Sequence, residues 1–192
     1  MPSISTIERN KNVLEKHGIE LTRGLHETKD SIGGVSNKVL ATVNGQKVMI
    51  KGDSDTETVA ERFAYKLGTA LGLNVNRVEV IDFGDIFELS KYSSVHYWED
   101  DFEVFKYFEG SVDLNWRDRQ MLRMFDSIIE NGDRHTGNYG LINGDKLFLI
   151  DHGLCDPWST YIEEEDFEHF IREYYHDEYL RENFFNKFLS FT

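Results

Sequence analysis

The apolar positions of this chain keep a strand-like pattern over its first part and a helical one over several later stretches, and the two alternate. From Lys38, the run Val39-Leu40-Ala41-Thr42-Val43, an Asn44-Gly45 pair and Val48-Met49-Ile50-Lys51 predict a β-hairpin, because Asn-Gly suits a two-residue turn. Between Thr56 and Leu71, Val59, Ala60, Phe63, Ala64, Leu67, Ala70 and Leu71 recur at helical spacing, and Gly72 follows as a stop. Upstream, Ser5-Thr6-Ile7-Glu8 has the form of a capping box for a helix ending at Gly18, and Gly33-Gly34 divides two stretches able to form strands. Val75 to Phe83 and Ile86 to Leu89 are expected to form two further strands around Gly84-Asp85. The aromatic, acidic stretch Tyr92 to Phe108 is left without an element. Helical spacing returns from Trp116 to Glu130, a turn follows at Asn131-Gly132-Asp133, and Leu147 to Ile150 forms a short apolar strand that delivers Asp151. The aromatic tail from Glu163 to Leu189 suits one or two packed helices. The expected class is α+β, in one domain over residues 1–192 with a strand-rich N-lobe to about residue 90 and a small, mostly helical C-lobe after it.

Composition narrows the function more than the fold. The 192 residues suffice to bury a core without staples, and the single cysteine, Cys155, excludes an internal disulfide framework and favours a reducing, cytoplasmic compartment. The N-terminal residues lack an apolar core of signal-peptide length, and no later run reaches a membrane span. Lys plus Arg is 21 against 35 Asp plus Glu, a formal charge of −14, which opposes binding to nucleic acid or to anionic membranes. A basic partner stays compatible with it.

Four segments carry candidate chemistry for phosphoryl transfer to a hydroxyl. That reaction needs a carboxylate at the acceptor, hard ligands for magnesium, a cation on the phosphates and backbone donors over them. Asp133 is followed five positions later by Asn138, a spacing that lets the Asp face an acceptor while the Asn turns to a metal. Ile150-Asp151-His152-Gly153 ends an apolar strand in a carboxylate two residues before a glycine, the form of a metal-binding D-x-G. Lys51 ends an apolar strand, where an anion would offset its burial; Glu61 in the following helix is the natural ion-pair partner, with Glu57 one turn earlier as the fallback. Ser31 to Lys38, with Gly33, Gly34 and Ser36, is a small-residue loop whose N–H groups could approach phosphates. His135, His152 and Cys155 lack the spacing of a zinc site, so His135 is expected to brace the loop and His152 to pack beside Asp151.

Asn131-Gly132-Asp133-Arg134-His135-Thr136-Gly137-Asn138 resembles the N-x-D-R-H-x-x-N loop of the atypical kinases that include HipA-type serine/threonine kinases and phosphatidylinositol 3-/4-kinases. Ala60-Glu61 through Leu71-Gly72-Leu73-Asn74-Val75 is similar to the HipA-type helix that ends in Leu-Gly-Leu, which favours Glu61 over Glu57. Gly33 to Lys38 is similar to the small-residue loop of the same group. The resemblance implies a protein-kinase-like fold, with ATP and Mg as cofactors and Asp133 as the catalytic aspartate. Asn138 and Asp151 would bind magnesium, Lys51 the phosphates, and Phe87 to Lys91, with Glu88 and Leu89, the adenine. It also makes Ser31 and Ser36 candidate autophosphorylation sites. The acceptor implied is a protein, with a partner protein conceivable as the completion of the small C-lobe. Full HipA proteins carry an extra N-terminal region that this chain lacks room for, and the basic lipid-facing loops of phosphoinositide kinases have no counterpart here. Aminoglycoside- and choline-kinase-like enzymes share the Asp-x-x-x-x-Asn spacing but usually read His-Gly-Asp-Leu-His, so Arg134 is the discriminator. A nucleotide-binding pseudokinase and transfer of AMP in place of phosphate remain open alternatives.

Overall fold

The computed structural model describes residues 12–21, 38–52, 54–83, 91–104, 114–156, 176–182 and 186. The chain divides into two compact units, Met1–Arg62 with Arg77–Trp98, and Phe63–Asn76 with Glu99–Thr192.

The first unit is built on a five-stranded antiparallel sheet. Its strands are β1 (Ile19–Leu21), β2 (Lys38–Val43), β3 (Gln46–Lys51), β4 (Val78–Asp82) and β5 (Tyr92–Tyr97), in spatial order β1-β2-β3-β5-β4. Asn44 and Gly45, at φ 51° and 81°, close the β2–β3 hairpin with Val43 opposite Gln46, which is the two-residue turn expected of Asn-Gly. Val39, Ala41, Val48, Ile50, Val95 and Tyr97 alternate onto one face and join Ile19, Val43 and Phe83 in a core. Val13 and Leu14, from the short helix α1 (12–16), pack against that core.

Strand β5 has no counterpart in the sequence reading, which left Tyr92 to Phe108 unassigned. Residues 93–97 are all buried: β3 and β4 pair with both edges of β5, Val95 and Tyr97 lie in the core on one face, and on the other His96 lies 3.8 Å from Glu61 of the helix that follows β3. Polar Ser94 and His96 occupy the second face and break the apolar run that a covered strand would normally show. The strand expected at Ile86 to Leu89 lies outside the described residues.

Helix α2 (Asp55–Leu71) begins where expected, with the Ser54 hydroxyl accepting from the Glu57 N–H at 3.1 Å. It ends in a Schellman motif: Leu73 N–H reaches Gly68 C=O at 2.9 Å and Gly72 N–H reaches Thr69 C=O at 3.0 Å, with Gly72 at φ 81°. Its second half belongs to the other unit.

That second unit holds a three-stranded antiparallel sheet of β6 (Phe102–Val104), β7 (Tyr139–Ile142) and β8 (Lys146–Leu149), with helix α3 (Trp116–Ile128). Asn115 caps α3 by accepting from Asp118 N–H at 2.9 Å. Met121, Leu122, Met124, Phe125, Ile128 and Ile129 are buried together with Leu147, Phe148 and Leu149. The Asn74–Asn76 segment runs beside β8, with Asn76 N–H to Leu149 C=O at 2.8 Å and Leu149 N–H to Asn74 C=O at 2.9 Å. Strand β7 was not expected, although its turn carries the same signal as the first hairpin: Asn143 and Gly144 sit at φ 54° and 78°. Most of the predicted tail lies outside the described residues; within it Leu180, in a single turn at Glu178–Leu180, is fully buried.

Candidate functional site

In the first unit, the second face of the sheet carries the predicted lysine. Lys51 Nζ stands 3.0 Å from Glu61 Oε1, with side-chain exposures of 12% and 2%. Helix periodicity puts Glu61 on the turn that faces the end of β3, while Glu57 N–H is engaged with the Ser54 cap. The strand register explains what else gathers there, since Lys51 pairs with Ser94 and Met49 with His96. His96 Nε2 lies 2.9 Å from Ser94 Oγ and 3.8 Å from Glu61 Oε1, and Ser94 Oγ is 3.5 Å from the Lys51 carbonyl. The buried Glu61 carboxylate therefore lies between an ammonium and an imidazole. Ser94 and His96 were missed in the sequence because the strand bearing them was not recognised.

In the second unit, the loop from Asn131 to Asn138 leaves α3 and enters β7. Asp133 is exposed, with its N–H bonded to Asn131 Oδ1 at 3.2 Å. Asn138 is buried and donates its Nδ2 to the Asp133 carbonyl at 2.8 Å, so of its two amide atoms the oxygen, Oδ1, is the one able to act as a cation ligand. The β7–β8 ladder pairs Tyr139 with Leu149, and Ile150 N–H continues it to the Asn138 carbonyl at 3.0 Å. Asn138 thus stands one residue across from Asp151. Asp151 holds φ 58°, a left-handed conformation that is costly for a residue with a side chain and that recurs where function dictates the backbone.

Two oxygen ligands, one neutral and one anionic, fit magnesium, which keeps waters and takes its other ligands from substrate phosphates. Among the described residues no three His, Cys, Asp or Glu side chains gather as a ready metal cage. His135 Nδ1 accepts the Gly137 N–H at 3.0 Å and its Nε2 lies 4.0 Å from Asp133 Oδ2, so it does brace the loop. A Cβ on Gly137 would fall 2.8 Å from the His135 ring, so that brace requires glycine. His152 is buried and meets Phe125 edge-on at 5.8 Å between centroids. Ser31, Gly33, Gly34, Ser36, Glu88 and Leu89 lie outside the described residues.

Neither a family model nor a curated protein matches the chain. Among solved structures it superposes on the Helicobacter pylori proinflammatory kinase CtkA with a TM-score of 0.52 at 16% identity, over 80% of this chain and 62% of that one. The fold is protein-kinase-like. Two further kinase-like matches are weaker. They are HipA, from the HipA–HipB–operator DNA complex of Shewanella oneidensis MR-1 (TM-score 0.41, 16% identity, 66% of this chain, 43% of that one), and the aminoglycoside phosphotransferase APH(4)-Ia (0.45, 13%, 89% and 83%). At those scores neither adds to the assignment. The kinase-like α+β class expected from the sequence is what the structure has, and the chain spans 62% of the length of the CtkA chain.

Proposed function

We propose that the chain is an ATP- and magnesium-dependent phosphotransferase with a hydroxyl acceptor, and more specifically a HipA-like serine/threonine protein kinase. The observation that carries this reading is the Asn138 amide bonded to the Asp133 carbonyl at 2.8 Å, in a loop whose other backbone contact leads directly into Asp151. In this reading the exposed Asp133 meets the acceptor hydroxyl, and Asn138 Oδ1 and Asp151 hold the metal. When bound, magnesium supplies charge neutralisation on the transferred phosphate. Lys51, held by Glu61, is the cation for the nonreacting phosphates. Arg134 supports the HipA-type reading over the aminoglycoside-kinase one, whose loop usually carries leucine at that place. Of the H. pylori protein, only the kinase activity that its name states is transferred.

The test is incubation with magnesium and γ-labelled ATP beside a generic protein substrate, with intact mass read out. Label should pass to serine or threonine and fall by about 10²-fold or more in Asp133→Ala, the range for losing a general base. Asp151→Asn should weaken magnesium-dependent ATP binding more than Asp133→Ala does. ATP binding with no label on any acceptor, or a mass gain of AMP size, overturns the reading.

A further inference from the structure

Arg134 entered as a discriminator between kinase groups, yet its side chain has a task that the proposed chemistry leaves unassigned. Nε lies 3.1 and 3.0 Å from the two carboxylate oxygens of Asp126, and Nη2 lies 2.9 Å from Oδ1. That fork plants the guanidinium on α3. The remaining Nη1 donates to the Asn138 carbonyl at 2.6 Å and to the Ile150 carbonyl at 2.9 Å. Both partners of the ion pair are nearly buried, at 10% and 14% side-chain exposure, and Asn131 Nδ2 adds a bond to Asp126 at 3.4 Å.

The two carbonyls are not arbitrary. The Ile150 carbonyl lies in the same rigid peptide plane as the Asp151 nitrogen, so holding it fixes the orientation in which the chain enters Asp151. That residue sits at φ 58°, a strained geometry that surrounding contacts must maintain. The Asn138 carbonyl already accepts from Ile150 N–H, and Arg134 fills its second acceptor site. One planar group with fixed donor directions therefore ties together the backbone at both candidate magnesium ligands, and a lysine ammonium, a point donor, has no geometry to replace it.

We propose that Arg134 and Asp126 form a positioning pair that sets the spacing between the Asn138 and Asp151 side-chain oxygens, and through it the affinity for the magnesium that accompanies the nucleotide. The inference rests on the phosphotransferase reading. Magnesium demands near-ideal octahedral ligands at about 2.0–2.1 Å, so a small shift in that spacing is felt first in the metal requirement.

Two measurements on the full chain separate the pair's geometry from its role. In residue-resolved hydrogen exchange without nucleotide, Arg134→Lys should speed exchange at the Ile150 amide and leave β2 and β3 unchanged. In ATP-binding titrations over a magnesium series, the same variant, shown by circular dichroism to be as folded as wild type before ligand is added, should need about tenfold more magnesium for half-maximal binding, with binding restored at saturating magnesium. Should Arg134→Lys fold poorly, Asp126→Asn, which keeps one oxygen for the fork, should shift the midpoint the same way by less. An unchanged Ile150 exchange rate refutes the clamp, and faster exchange with an unchanged magnesium midpoint refutes its positioning role. A wild-type protein that binds no ATP at any magnesium concentration refutes the phosphotransferase reading, and the positioning role with it, while the exchange experiment still reports on the clamp.

Discussion

Glu61 is 2% exposed and answers two partners at once, Lys51 Nζ at 3.0 Å and His96 Nε2 at 3.8 Å. Removing one member of a buried pair leaves a charge without compensation, and the more buried member is the worse one to strand. Lys51→Met should therefore destabilise the protein by about 3 kcal/mol in urea unfolding. Glu61→Gln should cost less, because Lys51 at 12% exposure can extend its stem toward water. An equal or reversed order would show that His96 already neutralises Glu61. A second residue-level consequence concerns acid. Arg77, hydrogen-bonded to Glu79, holds that carboxyl below its usual 4.5, and Tyr97 adds a hydroxyl donor at 3.1 Å. A depressed folded pKa means that the stabilisation is present above 4.5 and is lost as pH falls through the folded value. Unfolding measured as pH is lowered below that value should therefore show a smaller acid-side loss in Glu79→Gln than in wild type.

At the scale of elements, helix α2 shows how a local preference and a packing constraint can oppose each other. Gly68 is interior to the helix, where alanine would gain up to about 1 kcal/mol. Its missing Cβ, however, is the space taken by Val75 Cγ2, with Val75 Cβ at 3.3 Å and Phe125 Cζ at 3.2 Å. Valine is stiff at χ1 and cannot swing aside without repacking, and overpacking of this kind costs about 1–3 kcal/mol. Gly68→Ala should therefore lower the thermal midpoint despite its better propensity. A raised midpoint would mean that the Asn74–Asn76 segment yields easily. The opposite end of α3 reads differently from sequence. It closes in a Schellman motif through Asn131 N–H to Asp126 C=O at 2.9 Å, with Glu130 at φ 47° where glycine would be usual. No glycine signals that cap, yet it directs the chain into the loop from Asn131 to Asn138.

For the molecule as a whole, the charge of −14 is a physical fact about encounter as well as solubility. If the acceptor is a protein, basic peptides should be labelled in preference to acidic ones, and their KM should rise with salt as the Debye length shrinks from about 10 Å at 0.1 M. A KM independent of both salt and peptide charge would place recognition in short-range contacts alone. No helix among the described residues is long and apolar enough to cross a membrane.

What the sequence determined by itself is local chemistry. The Asn44-Gly45 hairpin, helix α2 with its Glu61, and the Asp133-x-x-x-x-Asn138 and Asp151 spacings are legible because turn geometry, helical period and ligand type are written in neighbouring residues. Tertiary structure alone decided that β5 enters between β3 and β4 and that the core covers one of its faces and the Glu61 helix the other, which erases the alternation that announces a strand. It alone placed Ser94 and His96 behind the Lys51–Glu61 pair, through a register joining residues more than forty positions apart. It alone turned Arg134, a letter in a motif, into the tie between Asp126, Asn138 and Ile150. These contacts depend on strand order and burial, which short-range pattern does not encode.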